Sequence, residues 1–171
     1  EWLRAVKGTW RQKINDSGGG QINDSGSHLI DILMWITGLK IAEVYAEMEN
    51  FDTEVDINST LAMKFQNGAL GSVSIIGNAP GWHEDVTVIG SKGAFYLRQG
   101  QPLLRQNGTG KHMKVALPKY KKNPNANFID VILGKDEPQT PAVCGLRVIE
   151  VTEAAWKSAK SGRVSKVRSS D

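Results

Sequence analysis

The sequence predicts an α+β domain, with one large, mostly antiparallel, open β-sheet and helices packed on one face. Three observations carry that prediction. Between Ile41 and Arg98, stretches of alternating apolar and polar residues follow one another, the pattern of half-buried strands. Gln66-Asn67-Gly68 and Gly90-Ser91-Lys92-Gly93 separate them as hairpin turns, which join neighbouring strands antiparallel. Helix-period segments flank these strands, one ending at Gly38 and one close to the C-terminus. Such a sheet can take helices on one face and leave the other for a partner.

With 171 residues the chain can bury a sizeable core but is short for two ordinary domains, so a single domain spanning 1–171 is expected. The composition, 40% hydrophobic and 23% charged, is that of a soluble globular protein, and no apolar run approaches the roughly 20 residues that cross a bilayer. No membrane association is expected. Glu1-Trp2-Leu3-Arg4 lacks the regions of a signal peptide, and the missing initiator methionine reads as an excerpt from a longer protein. One cysteine, Cys144, excludes an internal disulfide framework and fits a reducing, cytoplasmic compartment. With no histidine near it in sequence, Cys144 reads as a small apolar residue rather than a nucleophile. The net charge of +3 gathers in the second half, at Lys111, Lys114, Lys119, Lys121, Lys122, Lys157, Lys160, Arg163, Lys166 and Arg168. Without a recognition motif or interleaved aromatics this is a solvated basic edge, and nucleic-acid binding is not expected.

In chain order, Leu3 to Trp10 alternates loosely and reads as a first strand, and Asn15 to Gly20 as a loop. The repeated pentapeptide Ile-Asn-Asp-Ser-Gly, at Ile14 and Ile22, is too short to be a structural repeat. A helix follows and stops at Gly38, a left-handed C-terminal cap. Strands are expected over Ile41 to Glu49, Ile57 to Phe65, Ala69 to Ile76, Val86 to Ile89 and Ala94 to Arg98, with shorter ones at Pro102 to Arg105 and His112 to Leu117. Gly77-Asn78-Ala79-Pro80-Gly81 is a loop by composition. A short helix over Asn127 to Leu133 offers Phe128, Ile129, Ile132 and Leu133 as apolar contacts, and Pro138 and Pro141 bracket the linker beyond it. The last helix lies within Cys144 to Ser161, burying Leu146, Ile149 and Trp156, with Lys157 and Lys160 near its C-terminal dipole and Gly162 beyond.

The chemistry concentrates in Gly18 to Gly38. Asp24 and His28 stand four apart, which in a helix puts both on one face, continued by Asp31 and Trp35; Ile22, Leu29, Leu33 and Ile36 form another face to be buried. A histidine, with an ordinary pKa of about 6.5, exchanges protons near neutrality, and a carboxylate beside it can orient it. The same spacing also suits an ordinary ion pair on a helix surface. The glycine triplet Gly18-Gly19-Gly20 does not follow a strand as Gly-x-Gly-x-x-Gly, so it is not a dinucleotide fingerprint; it lets the backbone turn and approach another group closely.

The run formed by Gly18, Gly19, Gly20, Asp24, His28 and Asp31, followed by Trp35 and Gly38, resembles the signature of the Gfo/Idh/MocA family (glucose-fructose oxidoreductase, inositol dehydrogenase, rhizopine catabolism). In that family it opens the first long helix of the C-terminal domain. The segments Asp56 to Val73 and Val86 to Tyr96 resemble its paired sheet strands, and Ala159-Lys160-Ser161-Gly162 its closing helix. The resemblance implies the C-terminal substrate-binding and oligomerisation domain of an NAD- or NADP-dependent oxidoreductase acting on a sugar, cyclitol or related polyol. His28 would be the catalytic acid/base and Asp24 the aspartate that holds substrate hydroxyls. The cofactor would belong to an N-terminal Rossmann domain that this chain lacks, as it lacks the Glu-Lys-Pro motif carried there. No cofactor is therefore expected on this chain alone, and the chain alone is expected to be inactive. Family members pair through the open sheet face, which implies a homo-oligomer.

Other residues have weaker claims. Arg11 lies near the glycine loop in sequence and is a candidate to bind a substrate hydroxyl or anionic group. His83, in Gly81-Trp82-His83-Glu84-Asp85, and His112 read as exposed histidines, and Tyr45, Tyr96 and Tyr120 show no partner nearby in sequence. Three histidines and one cysteine match no zinc spacing, so no metal is expected. The competing functional class is a non-catalytic, sheet-based binding or oligomerisation module in which the helix is purely structural.

Overall fold

The alternation that begins at Ile41 builds strands where it was expected to. The computed structural model describes residues 1–117, 119 and 122–168, so Tyr120 and Lys121 lie outside the described residues. In chain order the strands are β1 (Ile41–Glu49), β2 (Asn58–Phe65), β3 (Leu70–Ile76), β4 (Asp85–Gly90), β5 (Gly93–Arg98), β6 (Leu104–Asn107), β7 (His112–Lys114) and β8 (Ser165–Lys166). The helices are α1 (Trp2–Ala5), α2 (Ile14–Ser17), α3 (Ser25–Thr37), α4 (Pro124–Ile132) and α5 (Ala142–Ser161), with a 3-10 turn at Trp10–Gln12. The α+β class and the antiparallel pairing are those predicted. The strands divide, however, into two four-stranded sheets rather than one large sheet, ordered β3-β2-β1-β8 and β4-β5-β6-β7. The break falls between β3 and β4, where two glycines and Pro80, which has no N–H to give a ladder, interrupt the pairing.

The chain correspondingly forms two compact units, one of residues 1–80 with the chain from Thr140 on, the other of Gly81–Gln139. In the first, the period-2 pattern of β2 buries Ser59, Leu61, Met63 and Phe65 and exposes Thr60, Ala62 and Lys64. Register places Leu61 beside Ala46 of β1 and Val73 of β3. Onto this inner face pack Ile30 and Met34 of α3 and Val148, Val151, Ala154 and Ala155 of α5. Fully buried side chains such as Ile30 and Leu61 contribute about 1.5–3 kcal/mol each. The opposite face is mostly polar, with Thr60 against Ser74 and Lys64 across from Glu43, and also exposes Leu70 and Ile76 of β3. There the Tyr45 hydroxyl donates to Glu47, and that hydrogen bond and the carboxylate's charge raise the Tyr45 pKa. Gly38 and Gly162 end α3 and α5 in the left-handed conformation expected of them.

Several expectations are corrected here. Leu3 to Trp10 is not a strand: Trp2 and Val6, four apart, turn inward together as on a helix and pack on Val55 and Ile57. Within Asn15 to Gly20, α2 supplies a helical turn before the glycines. On α3 the buried face is Gly26, Ile30 and Met34; Leu29 and Leu33 are half-buried and Ile36 is exposed, so the apolar stripe is rotated from the one predicted. On α5, Leu146 and Ile149 are exposed, Trp156 is half-buried, and the inner face is made of smaller residues. The reason is close approach to the sheet, where the Ser158 hydroxyl accepts the Ala46 N–H at 3.0 Å and donates to the Arg163 carbonyl at 2.7 Å.

The second unit pairs Val88 with Phe95, and Phe95 with Arg105, across its sheet. Tyr96 has partners after all: its hydroxyl donates to Gln106 at 2.6 Å and its ring stacks on His112 at 5.4 Å. His83 and Arg98 flank Asp85 at 3.3 and 3.4 Å. In the same unit, α4 begins where the Asn123 side chain accepts the Ala126 N–H at 2.8 Å, with Pro124 in the first turn. Its buried Asn127 donates to the Glu137 carbonyl and accepts the Gln139 N–H. Phe128, Ile129, Ile132 and Leu133 of this segment are exposed rather than buried.

Candidate functional site

The site is organised by a carboxylate that sequence reasoning did not single out. Asp56, just before β2 and only 5% exposed, accepts the N–H of Gly20 at 3.1 Å and of Ile22 at 2.8 Å. It also accepts the Trp156 indole N–H at 3.1 Å and the Ser59 hydroxyl at 3.4 Å, while its carbonyl accepts the Gln21 N–H at 2.8 Å. The glycine loop is thus sewn to the edge of β2 and to α5. The expected close approach is real. A Cβ on Gly20 would lie 2.0 Å from the Asp56 carbonyl oxygen, and one on Gly19 would lie 2.4 Å from the Trp156 ring. A signal for Asp56 was present in Val55-Asp56-Ile57, where an acid sits between two buried β-branched residues and must find donors.

Beyond the loop, the Asp24 N–H reaches the Gly20 carbonyl at 3.1 Å and α3 starts at Ser25. Asp24 itself has a non-helical ψ of −92° at the N-cap, and its side chain makes no cap hydrogen bond. It turns instead to the N-terminal segment: Asp24 Oδ2 accepts the Trp2 indole N–H at 2.9 Å and lies 3.2 Å from Arg11 Nε. The Arg11 guanidinium is 4.7 Å from the centre of the Trp10 ring. Trp2, Trp10, Arg11, Asn23 and Asp24 line an open cleft of about 200 Å³. Arg11 and Asp24 side chains remain 43% and 40% exposed, so their pairing is worth only about 0–1 kcal/mol and serves orientation more than stability.

Two of the three predicted site residues, Arg11 and Asp24, therefore meet in one cleft although thirteen positions separate them. His28 is on α3 and exposed, is not among the residues lining that cleft, and its imidazole makes no hydrogen bond or ion pair among the described residues. The expectation that Asp24 and His28 share a helical face is corrected, because Asp24 precedes the helix. The arrangement offers a carboxylate, a guanidinium and an aromatic wall to a polar ligand, and an unengaged imidazole one turn into α3. Among the described residues no three His, Cys, Asp or Glu side chains gather as metal ligands, and no helix is long and apolar enough to cross a membrane.

Where a side chain would stand, Gly19 meets the Trp156 ring and Gly20 the main chain of Asp56, while both glycines also line the open cleft. Residues 1–96, which hold Arg11, the glycine loop, Asp24, His28 and Asp56, match the family model described as the GFO/IDH/MocA C-terminal domain. The chain belongs to that family. It is 30% identical over 112 residues to glucose-fructose oxidoreductase domain-containing protein 1 of Mus musculus, a match covering 58% of this chain and 28% of the mouse protein. Among solved structures it is similar to aldose-aldose oxidoreductase from Caulobacter crescentus complexed with glycerol, at TM-score 0.82 and 24% identity, covering 93% of this chain and 51% of that one. It is likewise similar to levoglucosan dehydrogenase in complex with NADH and L-sorbose, at TM-score 0.84 and 17% identity over 98% of this chain and 56% of that one. At such identities the likeness establishes the fold. This Gfo/Idh/MocA chain spans about half the length of these solved relatives and under a third of the mouse protein.

Proposed function

We propose that the chain is the substrate-binding and dimerisation domain of an NAD- or NADP-dependent oxidoreductase that acts on a CH–OH group of a sugar, cyclitol or related polyol. The observation that carries this reading is the convergence of Arg11 and Asp24 on one open cleft, immediately before the helix that bears His28, in a chain of this family. In the reading, Asp24 accepts a hydrogen bond from a substrate hydroxyl, Arg11 donates to another oxygen, and His28 takes the proton of the reacting hydroxyl as general base. The nicotinamide, which supplies the redox chemistry when bound, would be held by a Rossmann domain outside this chain. Without that domain the chain would be inactive. The similar structures carrying NADH, L-sorbose and glycerol support the class of ligand, and the open outer face of the first sheet, where Leu70 and Ile76 are exposed, supports the pairing of two copies.

One observation favours the competing, non-catalytic reading: His28 lies outside the Arg11–Asp24 cleft and has no orienting partner among the described residues. The two readings separate in the full-length protein. With a panel of sugars and cyclitols and each dinucleotide, the proposal expects growth of reduced-nicotinamide absorbance with at least one pair. Dimerisation without turnover on any of them, in protein that binds the dinucleotide, would favour the module.

A further inference from the structure

Asp56 makes more hydrogen bonds than a packing role for one loop requires, and their direction matters. Oδ1 receives the Gly20 N–H and the Trp156 indole; Oδ2 receives the Ile22 N–H and the Ser59 hydroxyl. All four are donors to a group that only accepts. From Gly20 the chain of bonds runs on, because the Gly20 carbonyl receives the Asp24 N–H at 3.1 Å. From Gln21, whose N–H is held by the Asp56 carbonyl at 2.8 Å, the carbonyl receives the Gly26 N–H at 2.9 Å inside the first turn of α3. Asp56 thus stands one residue's main chain away from both the N-cap aspartate and the helix start that carries His28. The same loop between β1 and β2 holds α2 as well, through Glu54 Oε2 and the Ile14 N–H at 3.0 Å.

We infer that Asp56 is a positioning residue for the reaction: through Gly20 and Gln21 it sets where Asp24, at the N-cap of α3, presents itself to substrate. The inference rests on the proposed role of Asp24. Nothing suggests that Asp56 itself touches substrate, since it is buried and its oxygens are occupied by main-chain, indole and hydroxyl donors. Asp56→Asn keeps the size of the side chain but converts one acceptor into an NH2 group. Whichever way the amide turns, a main-chain N–H, of Gly20 or of Ile22, then faces another donor, and the loop must move. A displacement near 1 Å in a group that positions substrate costs roughly 10–100-fold in rate.

The test is a double-mutant cycle in the full-length protein, together with amide hydrogen exchange. Asp56→Asn is expected to lower kcat/KM by about 10–100-fold, but by less than about threefold when Asp24→Asn is already present, because Asp56 acts through Asp24. Exchange in residues 18–28 should rise in Asp56→Asn, while β2 and β3 keep their protection and Asp24→Asn leaves residues 18–28 as they were. Equal losses in both backgrounds would show a general structural role and overturn the inference, as would unchanged exchange in residues 18–28. If Asp24→Asn alone leaves kcat/KM within about twofold, the site reading fails and Asp56 has nothing to position; that arm identifies the failure by itself. Should Asp56→Asn not fold, Trp156→Phe removes one donor and keeps a ring beside Gly19. It is expected to give a smaller loss in the same cycle, with the same masking by Asp24→Asn, and an additive loss would overturn the inference equally.

Discussion

Replacing Gly20 by alanine adds one carbon to a place where the backbone of another segment already sits. The new Cβ would lie 2.0 Å from the Asp56 carbonyl oxygen, 2.5 Å from its nitrogen and 2.8 Å from its carbonyl carbon. Neither side can rotate away, as a flexible side chain would, so the loop must retreat from β2. Overpacking in a tight site costs about 1–3 kcal/mol. Retreat also weakens the Gly20 and Gln21 N–H bonds to Asp56, of which the first is made to a carboxylate, at roughly 1 kcal/mol or more each. The sum is about 3–5 kcal/mol, a large part of a typical domain stability of about 5–15 kcal/mol. Taking about 2 kcal/mol per molar as the urea dependence, the midpoint of unfolding of the 171-residue chain falls by about 1.5–2.5 M. Gly18→Ala is the control: nothing lies within 4 Å of its Cβ, but its φ of +70° costs about 1–2 kcal/mol, roughly 0.5–1 M. Tryptophan fluorescence follows both transitions. A Gly20→Ala midpoint within about 0.3 M of the unmodified chain, about 0.6 kcal/mol, would refute the close-approach argument.

Three further outcomes follow from the same geometry. Calorimetry of the isolated chain with NAD and with NADP should show no saturable binding, since the glycine triplet follows the helical turn α2 and not a strand, as a dinucleotide fingerprint requires; a saturating isotherm would contradict this. Ser158→Ala should destabilise the chain by about 1–3 kcal/mol in denaturant titration, because the buried Ala46 N–H loses its acceptor; a change under about 0.5 kcal/mol would mean that the bond is not formed. The carboxyl of Asp136 is held below its ordinary range by the Lys122 ammonium first, then by the Glu137 N–H and Asn127. A depressed folded pKa gives a contribution that is present above the unfolded value of about 3.9 and lost as pH falls through the folded one. Amide protection in residues 122–139, corrected for the intrinsic pH dependence of exchange, should therefore fall below that range, and Asp136→Asn should weaken that loss, Lys122 still pairing with Asp130 at 2.7 Å.

The sheet strands were the most legible part of the fold because their signal is local. In β2 and β3 the period of two and the Asn67-Gly68 turn determine face and partner together. The helices were legible in existence and ends, through Gly38 and Gly162, but not in orientation. Hydrophobicity pointed to Leu146 and Ile149 on α5, whereas close packing on β1 selects small residues and satisfied hydroxyls, a requirement set by the partner element. The N-terminal segment failed for a similar reason, since Trp2 of α1 and Val6 at its C-cap face inward onto Val55 and Ile57, which are distant in sequence. At the site, the types and rough position of Asp24 and Arg11 could be read from the glycine-rich run, but their meeting could not, being made by a chain turn at Gly8 and Thr9 and by the N-cap geometry of Asp24. Asp56 was hidden because its donors come from residues 20, 22, 59 and 156, which only the folded chain assembles.

The claim at the centre is that this wall of residues does proton chemistry on a substrate bound beside Asp24. His28→Ala in the full-length protein, assayed for kcat on its best polyol with saturating dinucleotide, tests it most directly. The account predicts a fall of about 100-fold or more, with dinucleotide affinity unchanged. Turnover within about twofold of the unmodified enzyme would contradict the acid/base role, since positioned proton transfer contributes roughly 100-fold or more wherever it operates.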